Sequence, residues 1–364
     1  MRVVMRTDAA SHIGIGHVMR CLTLANVLQA KGAEVSFVCR PFAGDLAERI
    51  IAEGHRVHLL PPAMQAVKLE LDLAQTPPYA AWLGESWETD LAQTRVALDG
   101  KVFDWLIVDH YSLDSRWESA MRKISRKIMV IDDLADRMHD CDLLLDQTLG
   151  RNDEEYKSWV PKDCTLLTGS NFALLRPEFA ELRDYSLRRR AKPKMEQLLV
   201  SMGGVDQFNA TGQLLEALQH SSLPPDCRII VVMSDTSPWL DKVREQAKKL
   251  IQPTEVMVKV LDMAQLMADS DLSIGAAGST SWERCCLGLP TLMVILAENQ
   301  RGIGLVLEQE QAVILLKEIF DVKKAIGLLC DPTKKLSNMS QAARNVTDGS
   351  GAGIVLSYME QLCA

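Results

Sequence analysis

Apolar residues fall along this chain in short runs, separated by longer stretches in which they recur every three or four positions. The runs lie at 3–5, 35–39, 56–60, 105–109, 128–131 and 143–145, and then at 197–202, 229–233, 256–260, 272–274, 291–296 and 313–316. Short apolar strands alternating with helices predict a mostly parallel sheet covered on both faces. The pattern starts twice. The first run leads through a polar turn, Asp8 to His12, into Gly14-Ile15-Gly16-His17. Val18, Cys21, Leu22, Ala25 and Leu28 then recur at helical spacing, and Gly32 reads as the stop. The run at 197–202 leads into Gly203-Gly204 and a helix from about Asn209, which Asp206 or Asn209 can cap. The two halves share an order of elements and no obvious sequence repeat.

Two segments interrupt this grammar. Residues 61–99 are broken by Pro61-Pro62 and Pro77-Pro78 and read as a long loop followed by a helix through Trp87, Leu91 and Val96. Residues 183–194, RDYSLRRRAKPK, carry no apolar periodicity and read as a solvated basic connector. The expected division is an N-terminal domain at 1–180, a C-terminal domain at 195–345, and a tail at 346–364 that packs back.

Composition narrows the class. A chain of 364 residues exceeds one ordinary core, so two domains are expected. Hydrophobic content of 47% and charged content of 24% are those of a globular protein. A net charge of -8 argues against bulk nucleic-acid binding. No apolar run approaches the roughly 20 residues that span a bilayer, so no membrane insertion is expected. Arg6 and Asp8 interrupt the apolar run at the N-terminus, so no secretory leader is read there. Nine cysteines without C-x-x-C spacing read as reduced, mostly buried thiols. Together these features point to the cytoplasm.

The candidate chemistry lies at strand ends. A strand, a glycine loop and a helix aim backbone N–H groups at an anion, and Gly14 and Gly16 let the backbone approach a phosphate closely. His17 stands at the mouth of that helix, where an imidazole can move a proton near neutral pH. Arg6, Asp8, His12 and His17 itself all look exposed here. A dinucleotide fingerprint is not met: Met19 holds the third glycine position, and the next strand runs into Arg40-Pro41 with no acid for a ribose. Asp109-His110-Tyr111 and Asp132-Asp133 end strands on the same rim, as ligand groups or as caps of the following turns. Asp140-Cys141-Asp142 and Asp269-Ser270-Asp271 match the D-x-D string of metal-dependent sugar transferases by chance, and no His/Cys cluster has zinc spacing.

In the second half, SIGAAGSTSWERCCLGLP at 273–290 is the most informative stretch. Small residues through Ala277 and Gly278 let N–H groups approach a phosphate, and Ser279 and Thr280 add hydroxyl donors. Glu283, one turn into the following helix, can accept both hydroxyls of a ribose or serve as a first-turn acid favoured by the helix dipole. Asn299-Gln300 ends the next strand with an amide pair suited to sugar hydroxyls or N-acetyl groups.

At these residues the chain resembles a known family. The run VKVLDMAQLMADSDLSIGAAGSTSWERCCLGLP looks like the nucleotide-binding half of the N-acetylglucosaminyltransferase of peptidoglycan synthesis. The whole is more closely similar to the UDP-2,4-diacetamido-2,4,6-trideoxy-β-L-altropyranose hydrolases of pseudaminic acid (nonulosonate) biosynthesis. The shared features are R-x-D followed by I-G-x-G-H, Asp109-His110-Tyr111, the M-G-G-x-D of Met202 to Asp206, and Phe172-Ala173-Leu174-Leu175-Arg176-Pro177. The likeness covers most of residues 1–320; the tail beyond Leu316 has no counterpart. It implies an α/β fold of two Rossmann-like domains facing a cleft, the glycosyltransferase-B type. The implied activity is inverting cleavage of the anomeric C–O bond by water, releasing free sugar and UDP. His17 matches the histidine that orients and deprotonates the water; Asp8 and Tyr111 are catalytic candidates beside it, and they and His110 either touch substrate or only support His17. Gly278, Ser279 and Glu283 match diphosphate and ribose contacts, and Asn299 and Gln300 the sugar-contacting amides. Arg6, Gly14, Gly16, Gly203, Gly204, Val260 and Ala277 complete the candidate binding positions. The implied partner is a UDP-sugar, handled by a monomer with no cofactor; UDP is already a good leaving group, and metal is not required because helix termini and backbone donors can do its work. A glycosyltransferase or UDP-sugar epimerase of the same fold, and a non-catalytic UDP-sugar binding module, are the alternatives.

Overall fold

The computed structural model describes residues 1–63, 79–203, 206–330 and 334–363. The chain divides into two compact units, Met1–Leu174 with Gly351–Ala364, and Leu175–Ser350. In the first, seven strands, β1 (Arg2–Thr7), β2 (Glu34–Cys39), β3 (Arg56–Leu59), β4 (Phe103–Asp109), β5 (Ser125–Ile131), β6 (Leu143–Asp146) and β7 (Thr165–Thr168), form a parallel sheet in the order β3-β2-β1-β4-β5-β6-β7. Its helices are α1 (Gly16–Ala30), α2 (Ala47–Ala52), α3 (Trp87–Ala97) and α4 (Ser115–Met121).

Strand alternation builds two cores. Val3, Met5, Phe37, Ile107 and Ile131 face one side and pack with Leu22, Leu24 and Leu28 of α1. Val4, Val38, Val108 and Val130 face the other and pack with Trp117 and Leu98. The last helix of the chain, Gly351–Cys363, adds Val355, Leu356 and Met359 to the first of these cores. The order reverses at β1, which has β2 on one flank and β4 on the other, and Thr7 pairs with Asp109 across the second flank. In a parallel sheet this reversal is where a ligand site opens.

The second unit opens with α5 (Pro177–Arg190) and repeats the scheme with six parallel strands. These are β8 (Gln197–Ser201), β9 (Arg228–Met233), β10 (Thr254–Val258), β11 (Leu272–Ala276), β12 (Thr291–Val294) and β13 (Val313–Leu316), in the order β10-β9-β8-β11-β12-β13. Its further helices are α6 (Ala210–Leu218), α7 (Leu240–Ala247), α8 (Met263–Asp269), α9 (Thr280–Cys286), α10 (Arg301–Gln309), α11 (Val322–Cys330) and α12 (Lys334–Arg344); Gly351–Cys363 is then α13.

The basic stretch at 183–194 is not a solvated connector. Most of it is α5, and its basic side chains bind carbonyls at helix ends. Arg190 donates to Gly288 O at 3.0 Å and to Met267 O at 2.9 Å, and Arg183 to Arg344 O at 2.7 Å and to Cys286 O. Last-turn carbonyls are the acceptors a guanidinium fits best. The segment at 61–99 resolves into a short turn at Ala80–Leu83 and α3, which Ser86 caps by accepting from Thr89 N at 3.2 Å. Pro77 and Pro78 lie outside the described residues. Cys21, Cys39, Cys285 and Cys286 are buried thiols whose proton loss burial makes harder.

Candidate active site

The loop from β1 to α1 carries the first half of the site. Ala10 and Gly14 pinch it into a tight turn, with Gly14 at a φ of +89° that a side chain would strain. Ile15 precedes α1 without a side-chain cap, and the first turn holds no acid, so its N–H groups meet no competing protein anion there. His17 lies in that turn, buried but for a tenth of its side chain. Its Nδ1 is 2.6 Å from Asp109 Oδ1, at the end of β4. Among the described residues Nε2 has no partner.

Arg20 is the residue that sequence reasoning passed over. It stands three positions after His17, on the same helix face. Its Nε and Nη2 donate to the two oxygens of Asp109 at 2.6 and 2.7 Å, and Nη1 to Asp133 Oδ2 at 3.1 Å. Burial alone would raise the Asp109 carboxyl, but Arg20 and His17 override it and hold it well below the usual carboxylate range. Asp109 is therefore a charged acceptor that orients the imidazole. Tyr111 meets the His17 ring edge-on, centroids 4.6 Å apart, and donates its hydroxyl to Asp133 Oδ1 at 2.5 Å. Burial and Asp133 push its proton loss well above the ordinary range, and its ring packs edge-on against His17. Tyr79 and Trp82 pack on Tyr111 at 5.2 and 5.7 Å and extend the aromatic wall. His12 is exposed and sits edge-on to Phe42.

Arg6 and Asp8 depart from expectation. Both are fully buried, with Arg6 Nη1 2.7 Å from Asp8 Oδ1 and Nη2 2.7 Å from Asp90 Oδ2. Asp8 also accepts from Arg40 N at 2.7 Å and lies 3.1 Å from His110 Nε2. Burial would raise Asp8, yet Arg6 keeps it well below its usual range. Arg6 and Arg40 tie Asp90 of α3 to the sheet, and Asp8 closes the buried cluster through Arg6 and His110. The reason is local: the strand continues inward where the sequence suggests an exposed turn, and each buried charge finds its partner inside.

In the second unit Gly203 makes its turn at a φ of +93°, and Gly204 lies outside the described residues. Asp206 accepts from Ala210 N and Thr211 N at 2.7 and 2.9 Å, and Asn209 from Gly212 N at 3.2 Å. Those side chains close the start of α6. The start of α9 is different: Ser279 makes no side-chain cap, Ser279 and Thr280 are exposed, and no atom stands within 4 Å of where a Gly278 side chain would begin. Ala277 is buried, its N–H on Val294 O at 3.1 Å. Glu283 lies one turn in, 19% exposed, with Oε1 4.0 Å from Arg176 Nη2. Burial pushes its carboxyl up to about 7. Val260 lies beyond the end of β10, half-buried. Gln300 Oε1 accepts from Leu296 N at 2.9 Å, leaving its amino group to donate; the Asn299 side chain lies outside the description.

Both D-x-D strings are tied up in protein contacts. Asp140 and Asp142 bind Arg122, and Asp142 also Lys127. Asp271 binds Arg189, and Asp269 takes the Tyr185 hydroxyl. Among the described residues no group of three His, Cys, Asp or Glu is placed to hold a metal, and no helix is long and apolar enough to cross a membrane.

No family model matches the chain. It is 27% identical over 303 residues, 83% of its length and 94% of the relative's, to the UDP-2,4-diacetamido-2,4,6-trideoxy-beta-L-altropyranose hydrolase of Campylobacter jejuni. It is 29% identical over 143 residues, 39% of this chain and 41% of the relative, to the spore coat polysaccharide biosynthesis protein SpsG of Bacillus subtilis. Among solved structures it matches MurG of Acinetobacter baumannii with a TM-score of 0.67 at 15% identity, over 99% of each chain. It matches the UDP-GlcNAc 2-epimerase of Neisseria meningitidis with a TM-score of 0.61 at 11% identity, over 99% of this chain and 100% of the other. The chain thus carries the glycosyltransferase-B fold and is similar, over most of its length, to a UDP-sugar hydrolase.

Proposed function

We propose that this protein is a UDP-sugar hydrolase acting on a UDP-linked diacetamido-trideoxy sugar, with water as acceptor and inversion at the anomeric carbon. The observation that carries the reading is the fixed imidazole: Nδ1 is held by Asp109 at 2.6 Å, which leaves Nε2 to accept a proton. A water on Nε2 loses its proton as its oxygen bonds to the anomeric carbon, and the C–O bond to UDP breaks with its electron pair on the phosphate oxygen. Asp109 stabilises the imidazolium that forms, as the buried aspartate does in a catalytic triad. General-base help of this kind is worth about 10²–10⁴-fold. The second unit supplies the nucleotide contacts, with Glu283 toward the ribose and the 277–279 loop toward the diphosphate. The likeness to the Campylobacter enzyme supports the substrate class.

The test is incubation with the UDP-linked sugar in ¹⁸O-water without any acceptor. Free sugar carrying the label, together with UDP, is expected. Label in UDP means P–O cleavage and rejects the mechanism. An isomerised UDP-sugar points to epimerisation, and absence of turnover until an acceptor sugar is added points to transfer. His17→Asn is expected to lower turnover about 10²–10⁴-fold with UDP affinity held within about threefold; unchanged turnover removes His17 from the role.

A further inference from the structure

Arg284 follows Glu283 in the first turns of α9 and has no place in the scheme above. It is 2% exposed. Its Nη2 donates to Ala276 O at 2.7 Å and to Ser281 Oγ at 3.2 Å, and its buried Nε has no hydrogen-bond partner. Among the described residues no carboxylate lies within ion-pair distance of it. Among the described residues the other arginines less than a tenth exposed have an acid or several carbonyls to answer them: Arg6 and Arg40 share Asp90, Arg20 binds Asp109, Arg137 binds Asp132, and Arg190 binds three carbonyls. The backbone makes room for this one. A side chain at Gly275 would begin 2.2 Å from Arg284 Nη1 and 2.7 Å from Ser201 O, so only a glycine leaves the guanidinium its place under the ends of β8 and β11. Burial weakens its hold on its proton, to about 10, although the neighbouring Glu283 pulls the other way from beyond ion-pair distance.

A buried cation without an acid is costly, and an external anion is the natural complement. The atoms that Arg284 holds, Ala276 O and Ser281 Oγ, bracket the 277–279 loop. Ser281 Oγ in turn accepts from Gly278 N at 3.2 Å. The loop is open toward solvent at Gly278 and Ser279, while α9 has only seven residues and contributes a small dipole. The strong positive charge at this point comes from the side chain.

We infer that Arg284 is the charge that draws the diphosphate of the nucleotide sugar onto the 277–279 loop, acting through that loop as a positioning residue. The inference rests on the nucleotide-sugar reading above and adds a division of labour to it: Glu283 reads the ribose and Arg284 answers the phosphates.

The experiment is calorimetric titration of the full chain with UDP, uridine and inorganic pyrophosphate, for the wild type, Arg284→Met and Arg284→Lys. In Arg284→Met the dissociation constants for UDP and pyrophosphate are expected to rise at least tenfold, and that for uridine to stay within twofold. Arg284→Lys keeps the charge and is expected to retain UDP affinity within about fivefold. The thermal midpoint of unliganded Arg284→Met is expected to equal or exceed that of the wild type, because a buried unanswered charge has gone; a large drop would make the residue a structural brace and overturn the inference. Equal losses for uridine and pyrophosphate, no loss for either, or a lysine variant as weak as the methionine one would also overturn it. Wild-type protein that binds UDP and pyrophosphate in this pattern yet releases no sugar overturns the hydrolase reading alone.

Discussion

Glu283 illustrates how one side chain carries opposite pH dependences. Burial pushes its carboxyl up to about 7 against the pull of Arg176 and Arg284. Ribose hydroxyls need the carboxylate as acceptor, so uridine affinity is expected to fall as pH drops through 7, and the fall is expected to vanish in Glu283→Gln. Titration of uridine from pH 5.5 to 8.5 measures this; a pH-independent wild type would remove the ribose role. The unliganded fold responds the other way. A carboxyl held above its unfolded value contributes stability that is full below that value and lost as pH rises through 7. His17 is simpler at this scale: its orientation rests on Asp109, and Asp109 remains charged because Arg20 compensates it.

At the scale of elements, buried charge ties helices to sheets. Asp90 of α3 accepts from both Arg6 and Arg40. Asp90→Ala leaves two guanidinium groups short of a partner in the core and is expected to cost about 3–5 kcal/mol, read as a lower denaturant midpoint. Asp90→Asn, which keeps the shape, is expected to lose less. The same interactions mark where sequence reading stops. Strands such as β1, β4 and β11 and the helices α1, α6 and α9 were legible, because apolar runs and periodic spacing follow directly from burial on one or both faces. Arg6 and Asp8 were misread as exposed, since nothing local to a charged residue says that Arg6 meets Asp90 on α3 or that Asp8 meets His110 after β4. The helix α5 was misread because its solvent face is charged and its inward face is partly arginine. β7 was not anticipated: Thr165–Thr168 is four residues long, at the sheet edge, with one fully buried side chain. Within the site, His17, Asp109 and Glu283 were visible from their places at strand and helix ends, whereas Arg20 and Arg284 became legible only through the atoms they touch.

For the molecule as a whole, two parallel-sheet units each carry part of the proposed machinery, the proton acceptor in the first and the nucleotide contacts in the second. Their stabilities can be separated experimentally. A chain ending at Ser350 loses α13, with Val355, Leu356 and Met359 from the core of the first unit. At about 1.5–3 kcal/mol for each buried side chain, that unit is expected to unfold at distinctly lower temperature or to fail to fold. The second unit, whose residues are uninterrupted, is expected to keep its transition. Differential scanning calorimetry of the truncated and full chains would show it, and an unshifted first unit would mean that α13 is dispensable.

The place of α13 also sets an order of events during synthesis. The unit of residues 1–174 cannot be finished until α13 emerges, whereas residues 175–350 are all available before then. The usual rule, N-terminal domain first, is reversed here: the second unit, proposed to hold the nucleotide, can mature while the first still lacks α13. A nascent chain stalled before α13 should therefore already bind UDP in one half while the other remains open to protease and chaperone.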